Sequence, residues 1–159
     1  MRTFAALALV LTAACSSAIL SADGRRVTST IALPVDSVLR VATTQLEHHG
    51  FEVHNLGSGI LITMPRPVPA HAATPGAATS RESENWVVRV SAEPLSFVRG
   101  SRLQVSAYTL PPGATLATDE QLQQDAIQVT SVLNPQLFRE VEAVAGWIND
   151  AAQRRRSGQ

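Results

Sequence analysis

From Asn134 onward the chain carries the pattern that most restricts its fold. Leu137, Val141, Val144, Ile148 and Ala151 recur at helical spacing and make one apolar stripe, with Phe138 and Trp147 at its margins. Asn134 is a good N-cap and Pro135 fits the first helical position, so the spacing predicts a helix that runs to about Arg155. Such a stripe needs an apolar surface to lie on, because a one-sided helix gains most of its stability from packing. The chain offers that surface upstream. In the run Glu84 to Glu93, Trp86, Val88 and Val90 alternate with Val87, Arg89 and Ser91. In the run Arg102 to Leu110, Leu103, Val105 and Ala107 alternate with Gln104, Ser106 and Tyr108. Both read as strands with one apolar face, and Gly100-Ser101 helps to turn the chain between them. Aromatic residues are only 4% of the chain, so the core must be aliphatic.

The rest of the chain fits the same plan. Val27 to Leu33 reads as a strand. Pro34 fits the first position of a helix with Asp36 in its first turn, where a negative charge suits the helix N-terminus. Val35, Val38, Leu39, Ala42 and Leu46 make its apolar face, Gly50 stops it, and Phe51 packs back over the last turn. Phe51 to Asn55 and Ile60 to Met64 flank Gly57-Ser58-Gly59 as a hairpin. Residues 65–83 are rich in Pro, Ala, Thr and Ser and keep no apolar period, so they read as a flexible insertion. Residues 118–132 leave two readings open. Thr118 with Gln121 resembles a capping box for a short helix through Leu122, whereas Ile127, Val129 and Ser131 alternate as an edge strand would. The expected fold is therefore α+β, an antiparallel sheet of about five strands with two amphipathic helices on one face. It forms a single domain over 25–155 with a tail at 156–159.

The first fifteen residues, MRTFAALALVLTAAC, have a different character. Arg2, the apolar run Phe4 to Leu11 and the small residues Thr12, Ala13 and Ala14 have the layout of a secretory signal peptide. The apolar run is too short to span a bilayer, which needs about 20 residues. The stretch LTAAC resembles a bacterial lipobox, although Thr12 stands where that family has Leu or Val. The resemblance implies removal of residues 1–14, linkage of the Cys15 thiol to diacylglycerol and acylation of the new N-terminus. Residues 15–24 would then be a lipidated tether, and several acyl chains give stable anchoring. By similarity with Gram-negative lipoproteins, Ser16 after the cysteine directs the protein to the outer membrane. The segment PVDSVLRVATTQLEHHGFEVHNLGSGILIT is similar in its order of elements to the helix-grip modules of BamC-type lipoproteins of outer-membrane assembly. That likeness implies a role in the envelope and names no site.

No chemistry stands out. The 13 basic and 13 acidic residues cancel, every basic residue is Arg, and the run Arg154-Arg155-Arg156 lies at the C-terminus, where cations complement the helix dipole. A basic field suited to nucleic acid is missing. His48, His49 and His54 are close in sequence, but adjacent helical residues point about 100° apart. His49 is better read as complementing the helix C-terminus and His54 as lying on a solvated strand face. His71 falls in the insertion with no fixed role expected. No cofactor and no metal are expected. Serines lack a nucleophile-elbow setting and no phosphate-binding glycine loop occurs. Trp86 and Trp147 are expected in the core, and Tyr108 with Val87 in an exposed patch that would meet a partner. The expectation for function is a non-catalytic, lipid-anchored envelope protein that binds a protein partner. The second reading is a module that holds a small apolar or lipidic ligand between helix and sheet.

Overall fold

The computed structural model describes residues 21–72, 84–96, 99–111, 113–114 and 118–158. The leader, Cys15 and residues 73–83 of the expected insertion lie outside the described residues.

In chain order the elements are β1 (Ser21–Ala22), β2 (Val27–Ile31), α1 (Val35–His48), β3 (Val53–Gly57), β4 (Ile60–Thr63), β5 (Arg66–Pro67), β6 (Asn85–Pro94), β7 (Ser101–Leu110), α2 (Asp119–Asp125), β8 (Ile127–Gln128) and α3 (Pro135–Arg156). The fold class is α+β. One antiparallel sheet runs β1-β2-β7-β6-β4-β3, with β5 added on β6 and β8 on β7. It has more strands than expected because β1, β5 and β8 are two-residue strands, too short to leave an alternating pattern.

The centre of the sheet is the pairing of β6 with β7, ten residues each, in register from Asn85↔Leu110 to Pro94↔Ser101. Alternation divides the two faces as the pattern requires. Trp86, Val88, Val90 and Ala92 join Leu103, Val105 and Ala107 in the main core. There they meet Val38, Leu39, Ala42 and Leu46 of α1 and Leu137, Val141, Val144 and Ile148 of α3. Each valine, leucine and isoleucine among them contributes about 1.5–3 kcal/mol by leaving water, and the alanines less. The space between helices and sheet is filled by these side chains; Leu46, Leu103, Leu137 and Ile148 are essentially inaccessible.

Local signals set the helix ends. Asn134 Oδ1 accepts the Leu137 N–H at 3.1 Å, and Pro135 occupies the first turn of α3. Gly50 adopts φ +78° after α1, where its N–H reaches Glu47 O at 2.9 Å and Phe51 N–H reaches Leu46 O at 2.9 Å. That pair of bonds is a Schellman motif, and the buried Phe51 and Leu46 supply its apolar contact. Pro34 differs from expectation by one position. Its φ of −65° suits a helix, but its ψ of 156° is extended, so it caps α1 from outside. The proline ring restrains φ and leaves ψ free.

Within the expected insertion at 65–83, residues 66–72 follow a defined path: Arg66 pairs with Trp86, Val68 N–H bonds Glu84 O at 2.9 Å and Ala72 is buried in the core. Two residues of pairing and one buried alanine leave no periodic trace in the sequence. His71 has a fixed partner, with its Nε2 lying 2.8 Å from Glu140 Oε1 on α3. Residues 118–132 satisfy both open readings in succession. Thr118 caps α2 by accepting the Gln121 N–H at 3.1 Å, and β8 follows on the edge of β7.

Candidate functional site

The second face of the sheet, opposite α1 and α3, holds the polar alternates. Cross-strand pairs share a face, so the registers place Thr28 beside Gln104, Gln104 beside Ser91, Ser106 beside Arg89 and Tyr108 beside Val87. On the far side of β6, Ser91 pairs with Ile60 and Arg89 with Ile62. A polar strip thus crosses β2, β7 and β6 and turns apolar towards β4.

Helix α2 covers the apolar end of this face. Leu122 is fully buried against Val87, Ile62 and Leu110, with Tyr108, Ile60 and Ala126 around them. Val87 is therefore not part of an exposed patch, which corrects the sequence reading. Alternation placed it correctly on the face of Arg89 and Ser91, but a helix more than thirty residues later covers it. Tyr108 is half-buried at the margin of this second core.

An ion pair ties α2 down. Arg89 Nε donates to Asp119 Oδ1 at 2.6 Å and Arg89 Nη2 to Asp119 Oδ2 at 2.9 Å, a two-pronged geometry that suits guanidinium and carboxylate. Both side chains are largely shielded, with 17% and 22% of their surface exposed. The Arg89 guanidinium, bonded directly to it, holds the Asp119 carboxyl below its ordinary value, and Asp119 in turn raises that of Arg89. Arg89 Nη1 also reaches Ser91 Oγ at 3.3 Å, and Gln123 Nε2 donates to Asp119 at 3.0 Å.

Beyond α2 the face is open. A cavity of about 410 Å³ lies over it, lined by Arg26, Arg89, Gln104, Ser106, Tyr108 and Gln128 among others. Arg26 reaches into it from the turn between β1 and β2, held by Asp23 Oδ2 at 3.1 Å and Gln104 Oε1 at 3.2 Å. Glu93 and Gln123 add to a lining rich in both donors and acceptors, with no His or Cys among the described residues of that lining. Tyr108, expected on an exposed patch, lines this cavity, and pattern reading did not bring its other residues together. Its arginines and glutamines belong to β1–β2, β6, β7, α2 and β8, and the sheet registers bring them together.

The histidines do not converge. His48 and His49 sit edge to face at 5.4 Å beside the end of α1, and His49 stacks on Trp147 with centroids 3.6 Å apart. His54 pairs with Ile62 and so belongs to the opposite face of the sheet. Among the described residues no group of three or more His, Cys, Asp or Glu is placed to hold a metal ion. Of the two tryptophans, Trp86 lies in the main core and Trp147 packs half-buried against it. Among the described residues no helix is long and apolar enough to cross a membrane. Compared with known proteins, the chain matches no family model and no curated sequence.

Proposed function

We propose that this protein is a non-catalytic, lipid-anchored protein of the bacterial cell envelope whose open sheet face binds a protein partner. The leader pattern ending in Cys15 motivates the anchor. The observation that carries the binding role is the polar strip from Arg26 across Gln104 and Ser106 to Arg89 and Tyr108, left uncovered where α2 ends. It combines a rigid β-sheet base with Arg, Tyr and amide side chains, which suit recognition of a peptide surface. Two of its arginines are already partnered, Arg89 by Asp119 and Arg26 by Asp23, an arrangement that favours a hydrogen-bonding surface over a reactive one. The element order that resembles the helix-grip modules is consistent with an envelope role. An apolar ligand between helices and sheet is the weaker reading, because side chains of the core occupy that space.

The test has two parts. Membranes carrying wild-type protein or Cys15→Ala are extracted, and the mature chains are weighed intact. A chain that starts at Cys15 with an acyl-glyceryl mass, absent from the variant, is expected. Photo-crosslinkers are then placed at Gln104 on the open face and at the exposed Glu142 of α3. A discrete envelope adduct from position 104 and none from 142 is expected; equal labelling at both positions would overturn the assignment of the face.

A further inference from the structure

Three large apolar side chains are exposed in the corner where the chain enters the domain: Val132 at 86%, Leu133 at 68% and Ile127 at 67%. Single exposed apolar residues are ordinary, but Val132 and Leu133 are consecutive and occupy the tip of a closed turn. Thr130 builds that turn: its Oγ1 accepts the Leu133 N–H at 3.0 Å, and its carbonyl accepts the Asn134 N–H at 2.9 Å. The exposure is thus imposed by a hydrogen-bonded loop that leads straight into the cap of α3.

The turn is docked on the N-terminal end of the domain. Ser131 N–H donates to Gly24 O at 2.8 Å, and Gln128 Nε2 donates to Arg25 O at 3.2 Å. Gly24 and Arg25 lie in the turn after β1, whose first residue is Ser21. Residues 16–20 separate Ser21 from Cys15, a length of chain that reaches at most about 20 Å. A lipid on Cys15 therefore holds this corner of the domain within that distance of the bilayer. Arg25, exposed and outside any ion pair among the described residues, stands beside the apolar tip.

We propose that the turn Thr130–Leu133 is a membrane-contact tip: Val132 and Leu133 enter the boundary between headgroups and acyl chains of the bilayer that holds the lipid on Cys15, with Arg25 among the headgroups. The inference rests on the anchor reading above. Apolar side chains gain by entering that boundary, an arginine there keeps its charge in the headgroup layer, and the backbone bonds of the turn reduce the cost of entry. The tip would convert a flexible tether into a fixed orientation. Because α3 starts at the tip and is 22 residues long, its C-terminal end lies about 30 Å away.

The chain has one cysteine, and its thiol is consumed by lipidation, so Val132→Cys or Gln153→Cys offers a single site for a nitroxide label. Lipidated protein is reconstituted in vesicles of phosphatidylethanolamine with a minority of phosphatidylglycerol. Relaxation of the label by oxygen and by a water-soluble nickel complex is then compared, with intact mass confirming the acyl groups. The expected oxygen-to-nickel ratio is several-fold higher at 132 than at 153, and Leu133→Asp lowers it to the level at 153. An acylated protein whose label at 132 is as open to nickel as that at 153 overturns the tip and leaves the anchor standing. A label at 132 shielded from both reagents overturns it in favour of a protein neighbour. An unacylated chain removes the anchor and the tip together.

Discussion

Arg89 on β6 and Asp119 at the start of α2 hold each other through two contacts of 2.6 and 2.9 Å, and the short helix rests on that pair and on Leu122. Neither would suffice alone. A helix of seven residues is unstable in isolation, and one leucine gives about 2 kcal/mol of burial. Replacing Asp119 by Asn removes the charge from a partly shielded pair. The expected loss is about 1–2 kcal/mol, below the range for fully buried pairs. Hydrogen exchange would show it first as faster exchange in α2, with β6 and β7 unchanged.

The same pair makes a pH prediction. The Asp119 carboxyl is depressed in the folded protein by Arg89, so its contribution is fully present above the ordinary carboxylate value of about 4. It is lost as pH falls through the lower folded value. The stability gap between wild type and Asp119→Asn should therefore be constant near neutrality and close in acid. Denaturation midpoints across that pH range measure it; a gap that widens in acid would contradict the assignment.

Val87 and Thr28 lie on the same face of the sheet, and substitution separates them. Val87→Asp buries a carboxylate beneath Leu122, where no cation is bonded to it, and should cost about 3 kcal/mol or more. Thr28→Asp lies at the polar end of the face and should change stability by less than about 1 kcal/mol. Chemical denaturation of the two variants distinguishes a covered patch from an open one.

Glycine substitutions should rank in a set order. Gly50 and Gly59 have almost the same φ, +78° and +79°, so alanine is strained at both. A Cβ at Gly50 meets nothing within 4 Å, but at Gly59 it would lie 2.6 Å from the Ala92 carbonyl oxygen. Gly50→Ala should cost about 1 kcal/mol and Gly59→Ala clearly more, since the β3–β4 turn must move off β6. Thermal melts of the two variants give the ranking.

Asn149 is the one buried asparagine of α3, and its Oδ1 has no hydrogen-bond partner among the described residues. Leucine, with the same branched outline and somewhat more bulk, removes the unbonded polar group. Asn149→Leu should stabilise the domain by about 1 kcal/mol, a rise of a few degrees in Tm. A fall would show that the amide is bonded in solution.

Much of this fold was legible because its main elements carry their own local signals. Asn134-Pro135 marked α3, Gly50-Phe51 the end of α1, and alternation assigned both faces of β6 and β7. What escaped depends on contacts between distant residues. Val87 is covered by a helix that periodicity could not place, and Ala72 is buried by a chain path without pattern. His71 gained Glu140 as a neighbour across 69 residues. The candidate site was the least legible part. Arg26, Gln104 and Gln128 look like ordinary surface residues until the pairing of β2, β7 and β8 sets them around one cavity.

The pairing of β2 with β7 also governs when this domain can form. A chain growing from its N-terminus has only the two-residue β1 to pair with Val27–Ile31 until residues 101–105 have been made, and the core face of β2 and β7 stays bare until α3 follows. By contrast, β6 and β7 are near neighbours in sequence and can zip together early. The core between the sheet and the helices therefore closes only once α3 has been made.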